Sequence, residues 1–132
     1  MILVDSNVPV YLIGAAHPHK VDAQRVLERL VAGRERLVTD AIVLQEIVHR
    51  YVAVDRRDAI PPAFDLLLGV VDDVFPVDLA CVKRARSVLL SRPAASAREA
   101  MHLAVMQEHG IRRILSFDTA FDGLPGVERI SA

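Results

Sequence analysis

The stretch SAREAMHLAVMQEHGIRRILSFD, residues 96–118, decides how the chain folds. Ser96 and Glu99 have the Ser-x-x-Glu spacing of a helix start, in which each side chain satisfies an orphan backbone N–H of the first turn. The helix that follows is expected to run to about His109 and to stop before Gly110. The short apolar run RILSF, residues 113–117, then reads as a strand followed by Asp118. Glu99 carries a second meaning, because an acid at the mouth of an apolar helix is also where a metal ligand could sit. Whether it is a cap, a ligand or both depends on where the chain's other acids fall.

Working outward, the same alternation recurs. ILV, residues 2–4, is a short continuous apolar run, as expected of a strand buried on both faces. Pro9 fits the first turn of a short helix through Leu12, and Val26, Leu27, Leu30 and Val31 mark one face of a second helix ending near Gly33. RLVT, residues 36–39, is the second strand, and Thr39 or Asp40 caps a helix carrying Val43, Leu44, Ile47, Val48 and Tyr51 at helical spacing. Pro61 and Pro62 open the next helix. VFPV, residues 74–77, is a third strand, placed at the sheet edge because Pro76 has no N–H for a ladder. Asp78 caps a helix carrying Leu79, Val82, Ala85 and Leu89, and VERI, residues 127–130, closes the chain as a last short strand. Strands separated by pairs of helices predict an α/β fold with strand–helix–helix units, in which a mainly parallel central sheet lies between helical layers as a three-layer sandwich. No linker divides residues 1–132, which read as a single domain.

Bulk composition narrows the function. A chain of 132 residues closes a core without staples, and its 52% hydrophobic content suits a well-buried sheet. The one cysteine, Cys81, has no internal disulfide partner and reads as a small buried hydrophobe in a reducing cytoplasm. Asp5 interrupts the opening apolar run before a signal peptide forms, and LLLGVV, residues 66–71, is far too short for a membrane span. A formal net charge of −1 argues against a uniformly basic nucleic-acid binder, but leaves room for basic patches beside an acidic pocket.

The acids then fall into place. Sites on open α/β sheets form at the carboxyl ends of strands, where strand order reverses. Asp5 follows the first strand, Asp118 follows the fourth, Glu46 lies in the second turn of the helix after strand two, and Glu99 lies in the first turn of its own helix. Singly, each reads as an ordinary turn, cap or surface residue. Together at matched strand ends they form a set whose mutual repulsion a divalent cation relieves, and hard carboxylate oxygens suit Mg²⁺ or Mn²⁺. His17 and His19 lack a third placed ligand and read as loop residues.

Three segments together resemble the PIN-domain ribonucleases, and most closely the VapC-type toxins of bacterial toxin–antitoxin pairs. They are ILVDSNVPVYL at the start, VTDAIVLQEIVHRY in the middle, and residues 96–130, with an acid-Ala-x-His-x-Ala helix, Ser-Phe-Asp, a second Phe-Asp and Pro-Gly. The resemblance implies a metal-dependent ribonuclease in which Asp5, Glu46, Glu99 and Asp118 are catalytic and hold one or two Mg²⁺ or Mn²⁺ ions. Glu99 stands where the family usually has Asp. Asp122 is a peripheral ligand in this reading, Asn7, Thr39 and Ser116 support the acids, and His102 packs or hydrogen-bonds within its helix. The implied partners are an RNA substrate, a cognate antitoxin and a second copy of the chain. Candidate phosphate contacts are Arg98, Arg112 and Arg113, with Arg56, Arg57, Arg84 and Arg86 behind them. The rival readings are a catalytically silent PIN-like module that binds RNA or protein, and an Asp-based phosphotransfer domain. Against the latter, Asn7 stands where a second, proton-donating Asp would be expected, and no Lys follows a late strand.

Overall fold

A computed structural model describes all of residues 1–132. Strand β1 (Ile2–Val4) is buried at every position, so both of its faces must be covered. The chain continues through α1 (Asn7–Ile13) and α2 (Pro18–Ala32) to β2 (Leu37–Asp40), then through α3 (Ala41–Ala53) and α4 (Ile60–Val70) to β3 (Asp73–Phe75). Helices α5 (Leu79–Ser91) and α6 (Ala97–Glu108) lead to β4 (Arg113–Leu115), and a 3₁₀ turn at Thr119–Gly123 leads to β5 (Glu128–Ile130).

The sheet order is β3-β2-β1-β4-β5, and every neighbouring pair is parallel. The first three strands step one way from β1 and the last two step the other way. Right-handed crossovers therefore put the first four helices on one face and α5 and α6 on the other. The packing agrees, with α1 against α2 and α4, α3 against α4, and α5 against α6. This is the predicted α/β sandwich, and its direction reverses between β1 and β4, the two strands that carry Asp5 and Asp118.

Two strands end earlier than their apolar runs suggest. β3 stops at Phe75 because Pro76 cannot continue the ladder, and it lies at the sheet edge as expected. β4 stops at Leu115 although RILSF continues: Ser116 still donates its N–H to the Ile130 carbonyl at 3.1 Å, but the Phe117 N–H leaves the ladder for the Asn7 side chain. The core is one cluster of 29 buried residues, which includes all of β1 and the inward faces of α3, α4 and α6.

Candidate active site

Asp5 emerges from β1 with its side chain fully enclosed. One oxygen accepts from the Ser6 backbone N–H at 2.7 Å and from Arg98 Nη2 at 2.6 Å. The other accepts from Ser116 Oγ at 2.6 Å and, more weakly, from Asn7 Nδ2 at 3.4 Å. Asn7 also donates to Ser116 Oγ at 3.2 Å and accepts from the Phe117 N–H at 3.3 Å, so it ties the end of β1 to the end of β4. Thr39 donates to the Val4 carbonyl at 2.9 Å and fixes β2 against the strand that carries Asp5.

Glu46 reaches the crevice from the second turn of α3. Its Oε2 accepts from Ser6 Oγ at 2.8 Å and from Arg98 Nε at 2.8 Å. Asp118 caps the 3₁₀ turn through one oxygen, which accepts from the Ala120 N–H at 3.0 Å, and accepts from Arg98 Nη1 at 2.9 Å through the other. Arg98 thus gives one nitrogen to each of three carboxylates that lie far apart in the chain.

A second cation stands behind the first. His102 is buried, with Nδ1 2.7 Å from Asp40 and Nε2 2.6 Å from Glu46 Oε1. Burial opposes its charge, but the hydrogen bonds to the two carboxylates outweigh burial and push its pKa up to about 10. An imidazolium then donates from both nitrogens. Burial would raise the Glu46 pKa, yet its bonds to His102 and Arg98 prevail and hold it below the usual range. Asp40 has a double role, since its other oxygen caps α3 by accepting from the Val43 N–H at 2.8 Å.

The structure brings Asp5, Glu46 and Asp118 together and leaves Glu99 outside. Glu99 closes the capping box: its N–H donates to Ser96 Oγ at 3.1 Å, and its carboxylate accepts from the Ser96 N–H at 3.2 Å. Helical geometry explains the exclusion. Arg98 and His102 are four residues apart and share the face turned to the acids, whereas Glu99 is rotated about 100° from Arg98, toward Ala120 and Leu124. Arg98, expected as a phosphate contact, therefore occupies the position expected of the fourth corner.

Other expected contacts lie elsewhere. Arg113 pairs with Glu35 through two bonds of 3.1 and 3.3 Å at the amino end of β4, opposite the crevice, and Arg112 precedes it there. Neither can reach a phosphate held at the acids. Asp122 is engaged by Arg129 at 2.8 and 3.1 Å, and Arg129 also donates to the Ser116 carbonyl, which ties the 3₁₀ turn to β5. Arg56 pairs with Asp58, while Arg84 and Arg86 lie on α5 and form no ion pair or hydrogen bond with the acids of the crevice. Ser6, the Asp40–His102 pair and the inward turn of Arg98 join the site without being expected from local sequence patterns. The i, i+4 spacing of Arg98 and His102 was the available signal.

The description "PIN domain" matches residues 2–127. The chain belongs to the PIN-domain family, among its VapC ribonucleases. Ribonuclease VapC13 of Mycobacterium tuberculosis is 60% identical over 131 residues, covering 99% of this chain and 100% of the relative. Among solved structures, Mycobacterium tuberculosis VapC20, described as a sarcin-ricin loop cleaving toxin, superposes with a TM-score of 0.76 at 24% identity, covering 96% of this chain and 98% of that one. VapBC2 of Rickettsia felis, solved bound to a DNA fragment from its promoter, superposes with a TM-score of 0.74 at 16% identity and covers 98% of each chain. Both structures share the fold. The family leaves no place for the phosphotransfer reading.

Two outcomes follow from this geometry. His102→Gln is expected to cost about 3 kcal/mol near pH 6, as expected for a broken buried ion pair. Because the folded pKa of His102 lies above its ordinary 6.5, the charged pair's contribution is complete below pH 6.5 and is lost as pH rises through about 10. Urea midpoints of wild type and variant should therefore converge between those values. Ser96→Ala should cost about 1 kcal/mol by the same measurement, as for a lost helix cap, without altering the Arg98 contacts.

Proposed function

We propose that the chain hydrolyses RNA phosphodiester bonds at the Asp5–Glu46–Asp118 crevice, with Mg²⁺ or Mn²⁺ held by these carboxylates. The observation that carries this reading is the convergence of three carboxylates from separate elements on one cationic head, the Arg98 guanidinium. Counting Asp40, four formally negative carboxylates face two positive side chains, Arg98 and His102, which leaves a formal charge of −2. Hard oxygens with that surplus charge fit a divalent cation.

When bound, such an ion supplies Lewis-acid neutralisation of the phosphoryl oxygens and a water of lowered pKa. The chain's own residues do the rest. Ser116, Asn7 and the Ser6 N–H fix the Asp5 rotamer, and His102 orients Glu46 from behind. Asp118 is the most exposed of the three acids, with 37% of its side chain accessible, and borders the recess where water and a phosphodiester enter. Arg98 lines that recess too, with its guanidinium engaged by the three carboxylates.

Residues 1–132 form one ribonuclease domain in this reading. The working setting is the cytoplasm, and no helix is long and apolar enough to cross a membrane. A cognate antitoxin covers the crevice, in keeping with the toxin–antitoxin assignment of the structural relatives. The exposed apolar residues Leu79, Val82 and Leu90 on α5 offer a surface for a second copy.

Cleavage of total cellular RNA by the purified chain, with Mg²⁺ or Mn²⁺ and with chelator, tests the proposal. Wild type should cut only with metal, and Asp5→Asn should lose at least about 100-fold, roughly 3 kcal/mol of transition-state stabilisation. Glu99→Gln preserves the capping box and should retain most activity; a loss equal to that of Asp5→Asn would return Glu99 to the ligand set. If wild type remains inactive after antitoxin removal, the silent binding module is the correct reading. Arg98 and a divalent cation compete for the same oxygens. Arg98→Gln should therefore melt lower than wild type in chelator and gain more stability from added Mn²⁺, measured by calorimetry.

A further inference from the structure

A cluster of four rings borders the acidic crevice. Tyr11 and His17 stack at 4.3 Å with an interplanar angle of 15°, and His19 and Phe117 stack at 4.7 Å. Tyr11 meets Phe117 edge-on at 5.6 Å and joins the two pairs. The chain has only six Phe and Tyr residues and no Trp, yet two of the six are placed here with two of its five histidines. None of the four is fully buried, and His17 is exposed. Hydrophobic burial alone does not account for so many partly open rings in one place.

The cluster is anchored to the acids at both ends. Tyr11 lies one helical turn beyond Asn7, which contacts Asp5, so the two share a face of α1. Phe117 sits between Ser116 and Asp118, and its N–H donates to Asn7. The crevice opens into a recess of about 430 Å³ bordered by Tyr11, Glu46, His49, Arg50, Arg98 and Asp118. A second recess of about 400 Å³ continues past His17 and Arg56, and the two share Val10, Tyr11 and Arg50. Arg50 is exposed on α3 and forms no ion pair with any acid of the chain.

Acids at one end, partly open rings in the middle and an unpaired arginine on the wall match the needs of an unpaired strand. Cleavage requires a phosphate at the acids, a stacked base requires a ring, and the next phosphate requires a cation. We propose that Tyr11, backed by His17 and edged by Phe117, is the stacking platform for an unpaired base adjoining the scissile phosphate, with Arg50 on the flanking phosphate. This assignment rests on the reading of the acidic crevice as the cleavage centre. A base held within a duplex cannot reach the rings, so single-stranded RNA or a loop is the form engaged.

The test is equilibrium binding of a short, mixed-sequence oligoribonucleotide to the full chain in chelator, so that binding is measured apart from cleavage. Base stacking on a ring contributes enough that Tyr11→Ala should weaken binding about tenfold, whereas Tyr11→Phe keeps the stack and should bind like wild type. An oligoribonucleotide of abasic nucleotides should bind equally to wild type and Tyr11→Ala, and a blunt duplex should bind weakly to both. In the wild-type chain, RNA should move the Tyr11 ring resonances upfield in NMR. Unmoved Tyr11 resonances would overturn the platform, as would equal loss by Tyr11→Ala for the normal and abasic strands. If either occurs while wild type still cleaves RNA with metal, the platform alone is wrong. If wild type neither binds nor cleaves RNA, the ribonuclease reading fails with it.

Discussion

Repulsion among carboxylates is the constraint around which this end of the molecule is organised. Asp5 is fully buried, Glu46 is mostly enclosed, and both lie within hydrogen-bond reach of the same guanidinium as Asp118. Desolvated like charges at such separations shift one another's ionisation unless cations or hydrogen-bond donors compensate. Arg98 and His102 provide the cations, and Ser6, Asn7 and Ser116 provide the neutral donors. All of them converge where strand direction reverses, which is the one place in an open parallel sheet where the ends of two adjoining strands diverge enough to leave a crevice.

That constraint also explains local features of the fold that apolar patterning does not. β4 gives up Phe117 because its N–H turns to the Asn7 side chain, while the Ser116 hydroxyl serves Asp5 and the Asp118 N–H, at 2.6 and 3.0 Å. Asp40 ends β2, caps α3 and holds His102, so one side chain joins a strand end, a helix start and the buried imidazole of α6. Thr39 hands its hydroxyl to the Val4 carbonyl, which places Asp40 relative to Asp5. The polar residues buried at this end of the sheet are bonded to one another, and no buried side-chain polar atom lacks a partner.

The layering of the fold was legible because it is written in periodicity: ILV, RLVT and RILSF are too short and too apolar for anything but buried strands, and paired helices between them imply parallel crossovers. The meeting of Asp5, Glu46 and Asp118 in one crevice was legible because strand ends and helix turns fix their direction. Glu99 was not, because Ser-x-x-Glu spacing is equally consistent with a cap and a ligand, and only the rotation of α6 about its axis separates them. Where Arg98 and Arg113 turn was not legible for the same reason. An arginine's reach is long, and whether it turns toward its own acids or toward solvent depends on tertiary neighbours that no local pattern encodes. His102 was placed in its helix correctly, but its charge depends on Asp40 and Glu46, which lie 62 and 56 residues away.

The guanidinium has a consequence for the chemistry of the crevice. A planar fork that donates one nitrogen to each of three carboxylates gathers them at one crevice, but only Asp5, Glu46 and His102 bring ligand atoms within 4.8 Å of one another, so Asp118 would have to close in if a cation replaced the guanidinium. The same contacts raise the threshold for any competing cation, because it must replace three charge-assisted hydrogen bonds at once. A hard divalent ion would meet that condition, since each oxygen it took would gain a stronger electrostatic partner than a delocalised guanidinium. A monovalent ion, or a single lysine from a partner, offers one compact charge for three acceptors. In the proposed ribonuclease, Arg98 would therefore favour ions of high charge density at the crevice.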